Sequence, residues 1–157
     1  MKKSLGAFFA LFTAAMLVSA CNGGNNAAAP PGTGQNCGGP PNNLEVLYPI
    51  PNSRNAPSAL GNVYVSTKGQ LPPSNNFNFF LVQSNGNSTF TGAFAGVSAS
   101  QIPTPHASPS YANPLYYASS LPPSYIIGPS QAVSLYWNDG GTGCTPHTLV
   151  SSFRTKS

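Results

Sequence analysis

Apolar and polar residues alternate with a period of two in several segments after residue 43, and this spacing predicts β-strands rather than helices. The seven predicted strands are 44–50, 62–67, 77–83, 89–98, 115–119, 132–138 and 148–155. In the sixth of them Val133, Leu135 and Trp137 share one face. No window of eleven or more residues carries a convincing helical stripe, so the pattern predicts an all-β fold.

Turn-forming sequences separate the predicted strands. Asn85-Gly86 is a strong signal for a tight hairpin turn, and Asp139-Gly140-Gly141 follows the sixth strand. The 157 residues include 17 Pro and 16 Gly, which oppose long helices and supply turns. Short strands spaced by turns favour one Greek-key antiparallel β-sandwich, with a small β-barrel as the alternative.

Two loose motifs connect this region with a known family. They are the segment Leu47-Tyr48-Pro49-Ile50-Pro51-Asn52 and the closing alternation of Val133, Leu135 and Trp137 with Phe153 and Thr155. Both resemble the bacterial Ig-like domains of surface proteins. The resemblance implies an Ig-like, fibronectin type III-like sandwich of about seven strands. The chain departs from antibody-type domains because its second and sixth strands lack cysteine and Trp137 falls near the end.

The first 20 residues have the layout of a secretory signal peptide. Lys2 and Lys3 begin it, an uncharged apolar run covers 5–18, and the small residues Ser19 and Ala20 follow. The apolar run is shorter than the roughly 20 residues that a membrane-spanning helix needs. The pattern therefore predicts a segment that is removed on secretion.

The junction Val18-Ser19-Ala20-Cys21 resembles the lipobox of bacterial lipoproteins. The resemblance implies a diacylglyceryl group on the Cys21 thiol, cleavage before that residue and acylation of the new amino terminus. The protein would then be anchored by lipid in the bacterial envelope, at the outer membrane or cell surface. Two or three acyl chains hold a protein stably, since each buried methylene contributes about 0.8 kcal/mol. The alternative is an ordinary cleaved signal.

The residues after Cys21 form a predicted tether. The stretch 22–43 is uncharged, rich in Gly, Asn, Pro and Ala, and has no periodic apolar pattern. The predicted organisation is a signal peptide over 1–20, a lipidated flexible tether over 21–43 and a sandwich domain over 44–157.

The remaining cysteines are predicted to form a disulfide. With lipid on Cys21, only Cys37 and Cys144 are left in an oxidising compartment. In a seven-strand antiparallel sandwich, the start of the first strand and the turn between the last two strands share one pole. Cys37 precedes the former and Cys144 lies in the latter. Two free thiols or an intermolecular bridge are the alternatives.

Charge is scarce, which argues against several functions. Only 5% of residues are charged, against roughly 25% in ordinary proteins. Beyond the leader the cations are scattered over Arg54, Lys68, Arg154 and Lys156. Nucleic-acid binding needs clustered cations, so we expect no nucleic-acid partner.

The ionisable residues beyond the leader form no recognisable catalytic pattern. Glu45 and Asp139 lack the signature of a carboxylate pair, and no nucleophile elbow accompanies His106 or His147. Cys144-x-x-His147 matches half of a zinc site and lacks the second half. No phosphate loop or dinucleotide fingerprint occurs. We therefore expect no catalytic residue, no metal and no cofactor.

One segment favours binding. The Pro-rich stretch 101–124 carries Tyr111, Tyr116 and Tyr117, which together with Trp137 would present aromatic faces to a sugar or peptide. The alternative is that these rings fill the sandwich. The sequence thus predicts a non-enzymatic, membrane-anchored structural, adhesion or interaction module whose protein or glycan partner is not identified. A carbohydrate- or peptide-binding lipoprotein that uses the Tyr-rich stretch is the second hypothesis.

Overall fold

The protein is described from a computed structural model, which covers residues 35–36, 38–41, 43–72, 77–141 and 144–157. These residues contain ten strands and a single turn of 3₁₀ helix at Ala99–Gln101. The strands are β1 Gln35–Asn36, β2 Glu45–Tyr48, β3 Asn62–Thr67, β4 Asn78–Gln83, β5 Ser88–Phe90, β6 Ala95–Val97, β7 Leu115–Ser120, β8 Ala132–Asn138, β9 Cys144–Thr145 and β10 Thr148–Arg154. The predicted all-β class is confirmed.

Eight of the strands form two four-stranded antiparallel sheets. Sheet I has the order β10-β8-β4-β5 and sheet II has the order β2-β3-β7-β6. In Ig-like terms these are the G-F-C-C′ and A-B-E-D sheets, so the connections follow the predicted Greek key. The two separate sheets exclude the small barrel.

The core lies between the sheets and is built from the inward residues of both. Val133, Leu135 and Trp137 are fully buried there, as the alternation on β8 predicts. The indole of Trp137 packs 5.1 Å from Phe77 and 5.9 Å from Phe94, measured between ring centroids. Phe77 and Phe94 are partly buried and pack against this core, whose buried large side chains also include Phe79, Leu81 and Phe153.

The predicted strand 89–98 is wrong as a single strand, because β5 and β6 divide it between the two sheets. The chain crosses from sheet I to sheet II at Gly92, whose N–H donates to the Ser120 carbonyl at 2.7 Å. A Cβ at Gly92 would lie 2.6 Å from Ser120 Oγ, so a side chain there would require the Ser120 hydroxyl to move. The sandwich accordingly has eight strands rather than seven.

The alternation predicted for 44–50 is also interrupted. A β-bulge between Val46 and Tyr48 breaks the register of β2 against β3. Val46 and Leu47 are therefore both buried although they are adjacent in sequence. The bulge lets Leu47 contribute to a small buried region outside the main core.

The poles of the sandwich have different roles. At one, the tether pole, β1 runs parallel to β9 and pairs Gln35 with Cys144. The shared pole expected for the start of the domain and the last turn is therefore present. At the opposite, far pole, the chain end returns beside residue 131, since the Thr155 N–H donates to the Gln131 carbonyl at 3.0 Å.

Candidate functional site

The first candidate site is the junction between the tether and the domain. The Asp139 carboxylate accepts the Gly38 N–H at 2.6 Å through one oxygen and the Gly141 N–H at 2.9 Å through the other. A Cβ on Gly38 would lie 3.0 Å from the Asp139 carboxylate, so a side chain there would have to push the carboxylate aside by a few tenths of an ångström. Asp139 thus fixes the point where the tether meets the sandwich.

Cys144 lies beside this carboxylate. Its Sγ is 3.1 Å from Asp139 Oδ1 and 3.3 Å from Asn138 Oδ1. Cys21 and Cys37, named as the lipidation and disulfide residues, lie outside the described residues. The residues on either side of Cys37 are described: Asn36 pairs with Thr145 of β9, and Gly38 contacts Asp139.

The second candidate site lies on the outside of sheet II, where a strap formed by residues 98–114 crosses the strands. The Glu45 carboxylate accepts the Ser110 N–H at 2.9 Å and a short hydrogen bond from the Ser110 hydroxyl. The Ala107 N–H donates to the Leu47 carbonyl at 3.0 Å. These contacts tie the strap to β2.

Tyr111 fixes the C-terminal part of the strap to sheet II. Its hydroxyl donates to Ser66 Oγ at 2.9 Å, and Ser66 is completely covered. Burial raises the pKa of Tyr111 above its ordinary value of 10.0, the bond to Ser66 opposes the rise, and the Glu45 charge adds to it. The phenol therefore stays neutral and serves as a donor in this site.

The four residues predicted to bind ligand are only partly brought together. Tyr116 and Tyr117 are adjacent on β7 and point to opposite sides of sheet II. Tyr116 faces outward beside Tyr111, whereas Tyr117 packs against the core and accepts the Leu71 N–H at 3.2 Å. Trp137 is fully buried between the sheets, so it shares no surface with the tyrosines.

A groove of about 410 Å³ opens beside Tyr116 at the edge of sheet II. The residues that line it include Gln70, Val97, Gln101, Leu115, Tyr116 and Tyr117. Tyrosine hydroxyls aside, none of these side chains is ionisable. We refer to it as the tyrosine groove.

The sequence analysis missed the two glutamines of this groove. Gln101 Oε1 accepts the Ser98 N–H at 2.8 Å and lies 3.1 Å from Ser98 Oγ, which completes a capping box on the 3₁₀ turn. The spacing Ser98-x-x-Gln101 is the signal for such a box and was present in the sequence. Gln70 lies in a turn-rich connection and carries no comparable signal.

A second groove, of about 440 Å³, lies at the far pole. It is bordered by Leu60, Leu121, Pro122 and Tyr125, and by Ile126, whose side chain is 77% exposed. Burial is the main cause that raises the pKa of Tyr125 above 10.0. The Tyr125 hydroxyl donates to the Asn87 carbonyl at 3.3 Å, which joins this groove to the β4–β5 turn.

The histidines lie against their own backbone. Nδ1 of His106 is 2.9 Å from the Ala107 carbonyl oxygen, and Nδ1 of His147 is 3.4 Å from that of Thr145. Within the described ranges, no three His, Cys, Asp or Glu side chains are grouped so that they could hold a metal ion. No helix in the described part of the chain is long and apolar enough to cross a membrane.

Comparison with known proteins leaves the site to be interpreted from its own geometry. No protein-family model, curated protein or solved structure matches this chain.

Proposed function

We propose that this protein is a non-enzymatic lipoprotein of a bacterial envelope, anchored through lipid on Cys21, whose Ig-like domain is a structural, adhesion or interaction module. The observation that carries the proposal is the tether junction, where β1 pairs with β9 and Asp139 binds Gly38. A chain anchored at residue 21 would pull on the domain at this junction. The contacts of the junction would transmit this force to β8 and β10 rather than to an isolated end of the chain.

A disulfide between Cys37 and Cys144 forms part of the proposal. The pairing of β1 with β9 supports it, because it brings the segment that ends one residue before Cys37 alongside Cys144. Closing a loop of about a hundred residues contributes up to about 4.7 kcal/mol through the restricted unfolded chain. The bridge would make the junction covalent.

Both carboxylates beyond the leader support a non-enzymatic role. Asp139 accepts two backbone N–H groups, and Glu45 accepts the N–H and hydroxyl of Ser110. Each carboxylate thus stabilises a connection between segments, in different regions of the domain. Glu45 and Asp139 are the two acidic residues of the chain, so both are engaged in such contacts.

Membrane fractionation of the full-length protein and its Cys21→Ser variant tests the anchor. The unaltered protein is expected to sediment with membranes and to enter the detergent phase. The Cys21→Ser variant is expected to be absent from both fractions. Cys37→Ser is the matched control, because it removes a thiol without removing the lipid site. Equal membrane association of the Cys21→Ser variant would overturn the proposal.

The tyrosine groove favours a second candidate function, the binding of an uncharged carbohydrate or peptide. A tyrosine ring with nearby amides matches a sugar, which offers apolar faces for stacking and hydroxyls for hydrogen bonds. Tyr116 supplies the ring and Gln70 and Gln101 supply the amides. We rank this below the first function because the groove is small and open.

Calorimetric titration with neutral hexasaccharides and with uncharged Pro-rich peptides tests the second function. Saturable binding that Tyr116→Ala weakens at least tenfold, while Tyr125→Ala leaves it unchanged, would support the groove. Absence of saturable binding by every probe, or equal loss in both variants, would contradict it.

A further inference from the structure

The fold brings together cations that are far apart in the sequence. Four cationic side chains follow the leader, and three of them lie where residues 52–56 run beside the C-terminal end of β10. These three are Arg54, Arg154 and Lys156, and each is exposed. The fourth, Lys68, follows the end of β3, which starts beside the far-pole groove and runs away from it. We refer to the three as the cation patch, which lies at the far pole.

Arg54 and Arg154 are neighbours across two adjacent segments of backbone. The Arg154 N–H donates to the Ser53 carbonyl at 2.7 Å, and the Ala56 N–H donates to the Arg154 carbonyl at 3.0 Å. These two bonds lie on either side of Arg54, so only about one strand spacing of 4.8 Å separates the backbones of the two arginines. Like charges at opposed positions repel each other and destabilise a sheet.

Lys156 extends the patch along the same edge. Its backbone still runs beside residues 52–56, since the Lys156 N–H donates to the Ala56 carbonyl at 3.0 Å. Thr155 is buried, with 1% exposure, so Arg154 and Lys156 on either side of it point away from the core. Two such residues are about 7 Å apart along an extended chain. All three cations therefore share one small area of the surface.

No acidic side chain in the described part of the chain neutralises this patch. Arg154 pairs with Ala132 at the start of β8, whereas the Asp139 carboxylate follows the end of that strand, at the tether pole. Seven residues of extended strand span about 23 Å, well beyond the Debye length of about 8 Å at physiological salt. Glu45 pairs with Ser66, near the end of β3 that lies away from the far pole. The repulsion within the patch is therefore uncompensated, and local conflicts of this kind are typical of functional positions.

Oxyanions with more than one negative charge match such a patch. Guanidinium groups bind phosphate through pairs of N–H donors, and a phosphate monoester carries about −1.5 to −2 charges near pH 7. A peptide cannot join this edge as an added strand, because the Ser152 carbonyl and both polar backbone groups of Arg154 are already bonded to residues 52–56. We propose that the cation patch binds phosphate monoesters carried on a polysaccharide.

The orientation of the domain favours a polysaccharide as the source of the phosphate. A lipid on Cys21 would hold the tether pole at the membrane, so the far pole would face away from the phospholipid headgroups. That step rests on the proposed anchor, whereas the charge pattern of the patch does not. Repeated phosphates on one polymer also bind more tightly than free phosphate, because each further group engages at a high effective concentration.

Calorimetric titration of the full-length protein in an uncharged detergent tests the patch. The probe is phosphorylated dextran, and the comparison ligands are unmodified dextran, inorganic phosphate, glycerol 3-phosphate and polyglutamate. We expect saturable binding of phosphorylated dextran that weakens at least tenfold when Arg54→Gln is combined with Arg154→Gln. Lys68→Gln is the matched control, because it removes an exposed cation at the other end of the domain, and it should change binding less than twofold. Added salt should weaken the binding, since it screens exposed charges.

Absence of saturable binding, equal losses in the double variant and in Lys68→Gln, or equally tight binding of unmodified dextran or polyglutamate would each overturn the proposal. Inorganic phosphate or glycerol 3-phosphate that binds as tightly as the polymer would overturn the polysaccharide as the source.

Urea unfolding separates loss of binding from loss of folding. The double variant should unfold at the same or a higher urea concentration, because the repulsion between the arginines is relieved, and a lower midpoint would contradict an uncompensated repulsion. Membrane fractionation reports the anchor separately. Binding of phosphorylated dextran by a chain that does not fractionate with membranes would reject the anchor and keep the cation patch.

Discussion

Asp139 is the residue on which the tether junction depends. It accepts N–H groups from both sides of the junction, from Gly38 before the sandwich and from Gly141 in its last turn. Its neighbour Asn138 is bound across the strands, with its amide donating to the side-chain oxygen of Asn78 at 2.7 Å. The carboxylate is therefore held on a well-supported strand end.

Replacing Asp139 should loosen the junction. Asp139→Ala leaves two backbone donors without their acceptor, and we expect a loss of about 1–2 kcal/mol in the free energy of unfolding. Asp139→Asn keeps one acceptor oxygen and should lose less. Urea unfolding measures both variants, and an unchanged midpoint for Asp139→Ala would show that the junction is not stabilised by this side chain.

Trp137 should be a stability residue and not a ligand contact. It is the one tryptophan of the chain, and its side chain is fully buried among aromatic rings. Trp137→Ala is expected to cost about 3–5 kcal/mol, a large part of the stability of a small domain. The half-exposed Leu149→Ala should cost well under half as much. Similar small losses in both variants, measured by denaturant unfolding, would contradict the burial.

At the scale of elements, the strap over sheet II is held by few contacts, and each can be removed alone. Glu45→Ala removes both bonds that the carboxylate accepts from Ser110 and should cost about 1 kcal/mol, whereas Ser110→Ala removes only the hydroxyl bond and should cost less. Because Glu45→Ala already removes the bond that Ser110→Ala deletes, the double variant should cost little more than Glu45→Ala alone. Additive losses in urea unfolding would show that Glu45 and Ser110 do not act as a pair.

The tyrosines make stability sensitive to alkaline pH. Burial is the first cause that raises the pKa of Tyr48, Tyr111 and Tyr125 above 10.0. Below pH 10 each is neutral whether the chain is folded or unfolded; above it, the unfolded chain loses these protons first. Stability should therefore fall as the pH rises beyond about 10. Urea midpoints from pH 8 to 11 test this.

Tyr111→Phe is the control for the alkaline effect. It removes one titrating group and the bond to Ser66, so it should be less stable at pH 8 and decline less steeply above pH 10. A decline as steep as in the unaltered protein would mean that Tyr111 contributes nothing to the pH dependence.

The elements differ in how well the sequence predicts them. The strands 62–67 and 132–138 agree with β3 and β8 in both bounds, because each carries a clear alternation of apolar residues that face the core. The predicted strand 89–98 is wrong because alternation cannot report a change of sheet, which only the pairing of β5 with β4 and of β6 with β7 reveals. The sequence does not predict the bulge in β2 for a similar reason, because the bulge depends on the register of β2 against β3.

The candidate site was predicted less completely than the fold. The Tyr-rich stretch predicted a shared aromatic surface, and of its members Tyr111 and Tyr116 lie on the outside of sheet II. Sequence could not place Trp137 inside, because an aromatic residue in a strand fills the core or faces a ligand with the same local pattern. Gln70 joins the groove only through a long-range fold contact.

At the scale of the whole molecule, the two poles of the sandwich carry different features. The tether pole carries β1, β9 and Asp139, and the far pole carries the groove beside Ile126. A lipid on Cys21 would hold the first pole toward the membrane and leave the second facing away.

The most direct measurement is the intact mass of the protein purified from membranes, taken before and after reduction. We expect a chain that begins at Cys21, carries the mass of acyl chains at its amino terminus and gains two hydrogens on reduction of the Cys37–Cys144 bridge. A chain that begins elsewhere, with Cys21 unmodified or absent, would contradict the anchor. An unchanged mass on reduction would contradict the bridge.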